Sequence, residues 1–142
     1  MIVSELGSLS LEFTRLSQIS ADQKYYDAVQ RVSDVFEEHQ NKTKLPGMWP
    51  VVVDAAGPSF NGNNDFHFGG MSDSLYEYLP KQYMLLGGLL AQPRKMYEIV
   101  IEVAKNHLFF KPLNPGNEDI LISGELRAAS EDRISLNPRG QH

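Results

Sequence analysis

The sequence predicts an all-α fold of helical hairpins with a small β-hairpin between two of them. Apolar residues recur at intervals of three and four along four segments, which is the periodicity of amphipathic helices. Short turns join these segments in pairs, and one β-branched run bounded by turn residues lies between the pairs. We therefore expect two helical hairpins, with little other regular structure.

The first predicted hairpin consists of helices over about residues 2–18 and 21–39, joined by a very short turn. Ser20 and Gln23 have the spacing of a capping box, in which each side chain bonds the backbone N–H of the other residue. The expected apolar stripes are Ile2, Leu6, Leu9, Phe13 and Leu16 in the first helix, and Tyr25, Ala28, Val29, Val32 and Phe36 in the second.

A short β-hairpin is expected between the two helical hairpins. Residues 49–53 (Trp-Pro-Val-Val-Val) are β-branched and follow a polar loop, so they predict a strand. The Asn-Gly-Asn-Asn sequence at 61–64 predicts a turn, and 66–68 is the candidate return strand. Near the other end of the chain, 119–124 is the one further strand-like run in a loop-rich region.

The second helical hairpin begins after Ser72, a favourable N-cap residue, and its first helix ends before the glycines at 87–88. Pro80 lies inside that helix, removes one backbone hydrogen bond and predicts a kink. The second helix covers about residues 92–107. Its inward residues are expected to be Met96, Ile99, Val100, Val103 and Ala104.

Composition excludes several classes of function. The chain has 142 residues, 42% hydrophobic and 22% charged, which suits a single globular domain, and it contains no apolar run near the roughly 20 residues that a spanning helix needs. Its net charge is −5 with scattered basic residues, so nucleic acid is not an expected partner. Without cysteine, the chain has neither a thiolate nucleophile nor a Cys-ligated zinc site.

The residues best suited to chemistry lie at the start of the third helix. Asp73 and Glu77 are four residues apart, so both carboxylates project from one helix face near the N-terminal end. One interpretation is helix capping on a solvated face. The other is a sugar site, because flat aromatic faces with hydroxyl groups are interleaved with the acids. These aromatic residues are Tyr76, Tyr78 and Tyr83.

The same helix carries the run Asp73-Ser74-Leu75-Tyr76-Glu77-Tyr78-Leu79, followed by Lys81-Gln82. This run closely resembles the Asp-Ser-x-Tyr-Glu-Tyr-Leu-x-Lys motif of the class I α-1,2-mannosidases, glycoside hydrolase family 47, and is nearest to the fungal type. The likeness extends over the whole chain. It includes Glu5, Glu12-Phe13, Leu16-Ser17, Pro50, Phe68-Gly69-Gly70 and Gln141-His142.

The resemblance implies that residues 1–142 are a central segment of a larger catalytic domain, an (α/α) barrel of seven helical hairpins. It implies removal of terminal α-1,2-linked mannose from high-mannose N-glycans, with inversion at the anomeric carbon. It also implies a Ca²⁺ ion that binds sugar hydroxyls, held by a protein ligand outside this segment. Since the general acid and base also lie elsewhere, we expect the segment alone to be inactive.

The resemblance assigns roles to five residues. Asp73 corresponds to a catalytic acidic residue that positions the water or relays its proton. Glu77 orients the substrate or supports Asp73, Glu5 bonds sugar hydroxyls at the mouth of the site, and His142 lies near the bound mannose. Met71 stands where some members have an arginine and stop after one mannose, so it favours broader trimming.

Partners and compartment also follow from the resemblance. The partners are a high-mannose oligosaccharide and the flanking segments of the same barrel, in the secretory pathway or outside the cell, with membrane attachment only through an N-terminal anchor outside this sequence. Asn41-Lys42-Thr43 is a glycosylation sequon. The alternatives are a non-catalytic module that binds mannose glycans in quality control, or a helical scaffold with a coincidental motif.

Overall fold

The fold is described from a computed structural model that covers residues 1–57, 59–116, 118–128 and 134–137. This part of the chain contains five helices: α1 (Val3–Gly7), α2 (Ser10–Ser20), α3 (Lys24–His39), α4 (Asp73–Leu85) and α5 (Gln92–His107). It also contains five short strands: β1 (Asp65–Phe66), β2 (Phe109–Phe110), β3 (Ile122–Ser123), β4 (Glu125–Ala128) and β5 (Ile134–Asn137).

The predicted first helix is two helices, because the chain breaks between α1 and α2. Ser8 ends α1 and donates its N–H to the carbonyl of Ser4 at 3.0 Å. Close packing accompanies this break, since a Cβ atom at Gly7 would lie 2.2 Å from the Cδ1 atom of Leu75 in α4. The short α1 thereby lies directly against α4.

The turn between α2 and α3 does not contain the predicted capping box. The Ser20 hydroxyl donates back to the carbonyl of Leu16 at 2.7 Å, and Ala21 adopts a left-handed conformation with φ of 54°. At the start of α3, the backbone N–H of Lys24 instead donates to Oδ1 of Asp22 at 3.1 Å. The box fails because residue 21 turns the chain out of the helix.

The bounds of the second helical hairpin agree with the prediction, but Ile99, expected to face inward, is exposed. Helix α4 continues from Asp73 to Leu85 through Pro80, and α5 covers the predicted residues Gln92–His107. Ser72 precedes α4 as expected, yet its hydroxyl donates to the carbonyl of His67 at 2.7 Å and makes no cap bond. That hydroxyl therefore fixes the loop before the helix.

The predicted β-hairpin between residues 49–53 and 66–68 is wrong. Val51 donates one backbone hydrogen bond to Asp65 at 3.0 Å, but β1 pairs with β4, with Phe66 opposite Leu126. The sheet order is β1-β4-β5, entirely antiparallel, and β2 pairs with β3 in a second small sheet. The partner of β1 thus comes from a region expected to be loop.

The core lies between α3, α4, α5 and the segment around Trp49. The Trp49 indole N–H donates to the carbonyl of Phe36 at 2.9 Å, and the two rings meet edge to face at 5.4 Å. The Tyr76 hydroxyl of α4 donates to the carbonyl of Trp49 at 3.1 Å. Since Tyr76 is buried, its phenol pKa is raised. Trp49 therefore joins α3 to α4.

Helix α2 buries its polar face, contrary to the prediction for Leu9 and Leu16. Leu9 and Leu16 are exposed, and Ile19 is 72% exposed. The buried residues of α2 are Ser10, Thr14 and Ser17. Small side chains permit close helix packing, while the apolar residues on the opposite face of α2 stay exposed.

Among the described residues, none of the helices combines the length and apolarity needed to cross a bilayer.

We predict that the isolated chain of 142 residues self-associates. Ile19 of α2, Met84 of α4 and Leu89 beyond it are strongly exposed, and monomeric proteins rarely leave such large apolar side chains uncovered in groups. Sedimentation velocity should show dimers or larger species that grow with concentration. The double variant Leu16→Lys, Ile19→Lys should shift the population towards monomer. A parent chain that stays monomeric and unfolds cooperatively would contradict this expectation.

Candidate active site

The acidic residues singled out from the sequence lie on α1, α2 and α4. Gly7 contacts Leu75, and further along both helices the Tyr78 hydroxyl donates to Glu12 Oε1 at 2.8 Å. Because residue numbers rise in the same direction in both contacts, the α1–α2 segment and α4 run parallel. Their N-terminal ends are therefore at the same end of the molecule. The four carboxylates of this region, hereafter the acidic face, are Glu5, Glu12, Asp73 and Glu77.

Asp73 is the first residue of α4 and is exposed. Its Oδ1 accepts a hydrogen bond from the backbone N–H of Ser74 at 2.9 Å. Negative charge is favourable at a helix N-terminus, so an acidic residue suits this position. This geometry serves a helix cap and a catalytic carboxylate equally well, and the two interpretations from the sequence both remain.

Glu77 lies one turn after Asp73 and is also exposed. Its Oε2 is 3.4 Å from the ammonium nitrogen of Lys81, one turn further along α4. An exposed pair of this kind contributes little to stability. Glu77 is therefore available for other partners.

Tyr78 of α4 is bonded to Glu12 of α2. The hydrogen bond from Tyr78 to Glu12, together with the negative charges of Glu12 and Glu77, raises the pKa of the Tyr78 phenol. The phenol stays protonated and continues to donate at neutral pH. In the sequence, Glu12 belongs to the family pattern but has no assigned role. The spacing of the tyrosines does not indicate the hydrogen bond between Tyr78 of α4 and Glu12 of α2.

Met71, in the loop before α4, has a strained backbone. Its φ is 76°, a left-handed value that is costly for a residue with a side chain, and 53% of the residue is exposed. Its carbonyl accepts from the N–H of Ser4 at 3.2 Å, so the loop before α4 is tied to α1. Glu5, the next residue of α1, is exposed and accepts from the N–H of Ile2 at 3.3 Å.

The remaining predicted site residues are separate from this face or outside the structure described. His142 lies outside the described residues. Asn41 is exposed just beyond the end of α3, in the loop that leads to the core. The structure therefore brings Glu5, Met71, Asp73 and Glu77 to one end of two helices.

Beside Met71 lies a polar cleft of about 400 Å³ that the sequence analysis did not anticipate. Arg127 of β4 forms an ion pair with Asp65 of β1, with Nε and Oδ1 3.4 Å apart. The cleft went undetected because it depends on the pairing of β1 with β4, which are some 60 residues apart. Its polar lining residues are Asn63, Asp65, His67, Glu125 and Arg127.

The orientation of His67 is set by its own turn. Its Nδ1 accepts from the N–H of Gly69 at 3.1 Å, so a neutral ring carries its proton on Nε2. Nδ1 also lies 3.1 Å from the Ser72 hydroxyl oxygen, whose proton is donated to a backbone carbonyl. His67 thus holds the loop before α4 while lining the cleft.

The described residues do not fit a calcium site. Calcium needs six to eight oxygen ligands, and no group of three or more acidic or histidine side chains suited to a metal ion occurs within the described ranges. The carboxylates of the acidic face are thus spread along α1, α2 and α4 and do not converge on one point.

The fold corresponds to part of a known barrel. The structure of an alpha-1,2-mannosidase from Trichoderma reesei matches 89% of this chain with a TM-score of 0.78 at 24% sequence identity. The match occupies 26% of that solved chain. The described helices are therefore neighbouring hairpins of an α/α barrel, as the sequence predicted.

The chain belongs to glycosyl hydrolase family 47, whose profile matches residues 1–142. It is 31% identical over 112 residues to human mannosyl-oligosaccharide 1,2-alpha-mannosidase IB, covering 78% of this chain and 16% of that protein. It is 33% identical over 106 residues to the human endoplasmic reticulum mannosyl-oligosaccharide 1,2-alpha-mannosidase, covering 75% of this chain and 15% of that protein. The chain thus spans about a sixth of these relatives, and the family resemblance is confirmed.

Proposed function

We propose that this chain forms one wall of the active site of an exo-glycosidase that removes terminal α-1,2-linked mannose from high-mannose N-glycans. The observation that carries the proposal is the acidic face, exposed on α1, α2 and α4 beside a polar cleft, in a chain of family 47. The printed names of its relatives describe mannosyl-oligosaccharide 1,2-alpha-mannosidases. The whole enzyme contains further segments of the barrel.

The acidic face supplies part of the chemistry of an inverting hydrolase. Inversion needs two carboxyl groups on opposite sides of the sugar, about 6.5–9.5 Å apart, with room for a water molecule. Asp73 and Glu77 are one turn apart on one helix, so they cannot be that opposed pair. We assign Asp73 to ordering the water or relaying its proton, and Glu77 to orienting the sugar, while the acid and base come from other segments.

Glu5, His142 and the polar cleft are assigned to further contacts with the glycan. Glu5, beside the Met71 loop, bonds sugar hydroxyls at the mouth of the site, and His142 is assigned to the same sugar from the family pattern. The polar cleft beside Met71 holds mannose residues further from the cleaved bond. Carboxylates, amides and an arginine are suited to it because they bond vicinal sugar hydroxyls in both donor and acceptor roles.

Calcium and compartment belong to the whole enzyme. We infer from membership of family 47 that the whole enzyme uses a Ca²⁺ ion that binds sugar hydroxyls, held by other segments of the barrel. We place the protein in the secretory pathway, in the endoplasmic reticulum or Golgi, or outside the cell. The name of the human endoplasmic reticulum mannosyl-oligosaccharide 1,2-alpha-mannosidase, to which this chain is similar, supports this placement.

A time course of mannose release from a high-mannose glycan tests the proposal in the intact protein that contains this segment. Stepwise release of mannose, with the anomeric signal inverted in early NMR spectra, is the expected result. Tight glycan binding with no released mannose would overturn the enzymatic proposal and support the non-catalytic glycan-binding module instead. Absence of both binding and release would leave only a structural role for the acidic face.

We predict that Met71→Arg narrows the range of products. The exposed side chain lies beside the polar cleft, so a long cation there changes which glycan branches fit without touching Asp73. The first mannose should be released at close to the parental rate, while later cleavages slow by about tenfold or more. Met71→Leu is the matched control and should trim like the parent. Equal product series from Met71→Arg and the parent would contradict the assignment.

We propose that Asn41 carries an N-glycan that is added before the following loop folds. Asn41 is exposed, but the Thr43 hydroxyl of the sequon is buried and lies 2.7 Å from the carbonyl oxygens of both Leu45 and Met48. An enzyme that recognises the sequon needs that hydroxyl, so the folded loop hides it.

Expression in a eukaryotic secretory system should give a glycosylated chain that Asn41→Gln converts to the unmodified mass, with Thr43→Ser retaining the glycan. The folded chain incubated with detergent-solubilised oligosaccharyltransferase and its lipid-linked glycan donor should stay unmodified. Efficient modification of the folded chain would contradict the proposed order of events.

A further inference from the structure

A small cavity lies where α2, α3 and α4 meet. Its volume is about 20 Å³, which exceeds the roughly 10–15 Å³ that one water molecule requires. Apolar cavities of this size stay dry, but polar side chains contribute to this wall. The polar lining residues are Ser10, Ser33, Tyr78 and Gln82.

Gln82 provides a buried donor at this cavity. The residue is 2% exposed, and its Nε2 has no hydrogen-bond partner among the described residues. A buried amide N–H without an acceptor is unfavourable, and most such groups in folded proteins bond to protein or to ordered water. The side chain therefore requires an acceptor at the cavity that it lines.

The hydroxyl groups of the wall have acceptor capacity left. Ser33 donates its hydroxyl proton to the carbonyl of Val29 at 3.1 Å, and Tyr78 donates its proton to Glu12 at 2.8 Å. Each oxygen retains lone pairs that can accept a hydrogen bond. Donors and acceptors around the cavity thus complement the two protons and two lone pairs of water.

We propose that this cavity binds one ordered water molecule, which accepts a hydrogen bond from Gln82 Nε2 and donates to hydroxyl oxygens of the wall. The water links α4 to α2 and α3, since Gln82 belongs to α4, Ser10 to α2 and Ser33 to α3. This site explains why a glutamine is buried on the inner side of α4 among apolar residues such as Leu75 and Leu79.

A crystal structure of the intact protein, at about 1.5 Å resolution or better, tests the site. The expected result is a spherical density peak about 2.7–3.2 Å from Gln82 Nε2. Gln40 is an internal control, because it is equally buried but its Nε2 donates to the carbonyls of Gly47 at 3.0 Å and Met96 at 2.9 Å. No water peak is expected at that nitrogen.

The variant Gln82→Met provides the second measurement, since methionine has a similar length and no donor. The peak should disappear from its map or lose most of its occupancy. An empty cavity in the parent map, a Gln82 side chain that bonds a protein carbonyl directly, or an unchanged peak in Gln82→Met would overturn the proposal. The parent map decides the matter even where the variant fails to fold.

Discussion

Asp73→Asn in the intact enzyme is expected to lower kcat by about 10²–10⁴-fold with little change in KM. Asparagine keeps the size of the side chain and the Oδ1 acceptor for the N–H of Ser74, so the start of α4 is preserved. In the proposed role of Asp73, the variant loses the negative charge that orders the water or relays its proton, and such groups contribute about 10²–10⁴-fold to rate. Since the lost interaction acts in the transition state, kcat carries the effect.

The matched control for this experiment is Asp22→Asn. Asp22 also accepts a backbone N–H at the start of a helix, that of Lys24 at 3.1 Å, but it belongs to α3 and not to the acidic face. The control should keep the parental kcat. The measurement is initial rates of mannose release with circular dichroism spectra of both variants. A parental rate for Asp73→Asn would show that Asp73 is only a helix cap.

Trp49→Ala is expected to lower the free energy of unfolding by about 3–5 kcal/mol, the range for removal of a large buried aromatic side chain. Trp49 is completely buried and packs against Phe36. Its indole N–H donates to the backbone carbonyl of Phe36. Its loss leaves a cavity between α3 and α4. Because the Tyr76 hydroxyl bonds the Trp49 backbone, the position of α4 is also affected.

Urea unfolding of the 142-residue chain, made monomeric by Leu16→Lys and Ile19→Lys, measures this effect. It is followed by circular dichroism, since Trp49 is the only tryptophan of this chain and fluorescence would be lost. Trp49→Phe keeps most of the packing and removes the indole hydrogen bond, so its cost should be about 1–2 kcal/mol. Leu113→Ala, at a fully exposed position, should change stability by less than about 0.5 kcal/mol. A loss below about 1 kcal/mol for Trp49→Ala would contradict the role given to this residue.

The sequence predicted those elements that depend on neighbouring residues. Helix α5 was predicted at its observed residues, Gln92–His107, and α4 to within one or two residues at each end, because periodicity and glycine stops act within a few positions. The motif at Asp73 identified the family because its residues are contiguous along the chain. The acidic pair on one face of α4 follows from helix geometry alone.

Tertiary structure decided the features that join distant parts of the chain. Phe66 pairs with Leu126 and Tyr78 bonds Glu12, contacts across some 60 residues that no local pattern encodes. The buried face of α2 also depends on its neighbours, since Thr14 packs inward while Ile19 is exposed against the usual hydropathy rule. Local propensity determines where a helix forms, whereas the face that it buries and the cleft beside it depend on which other elements pack against it.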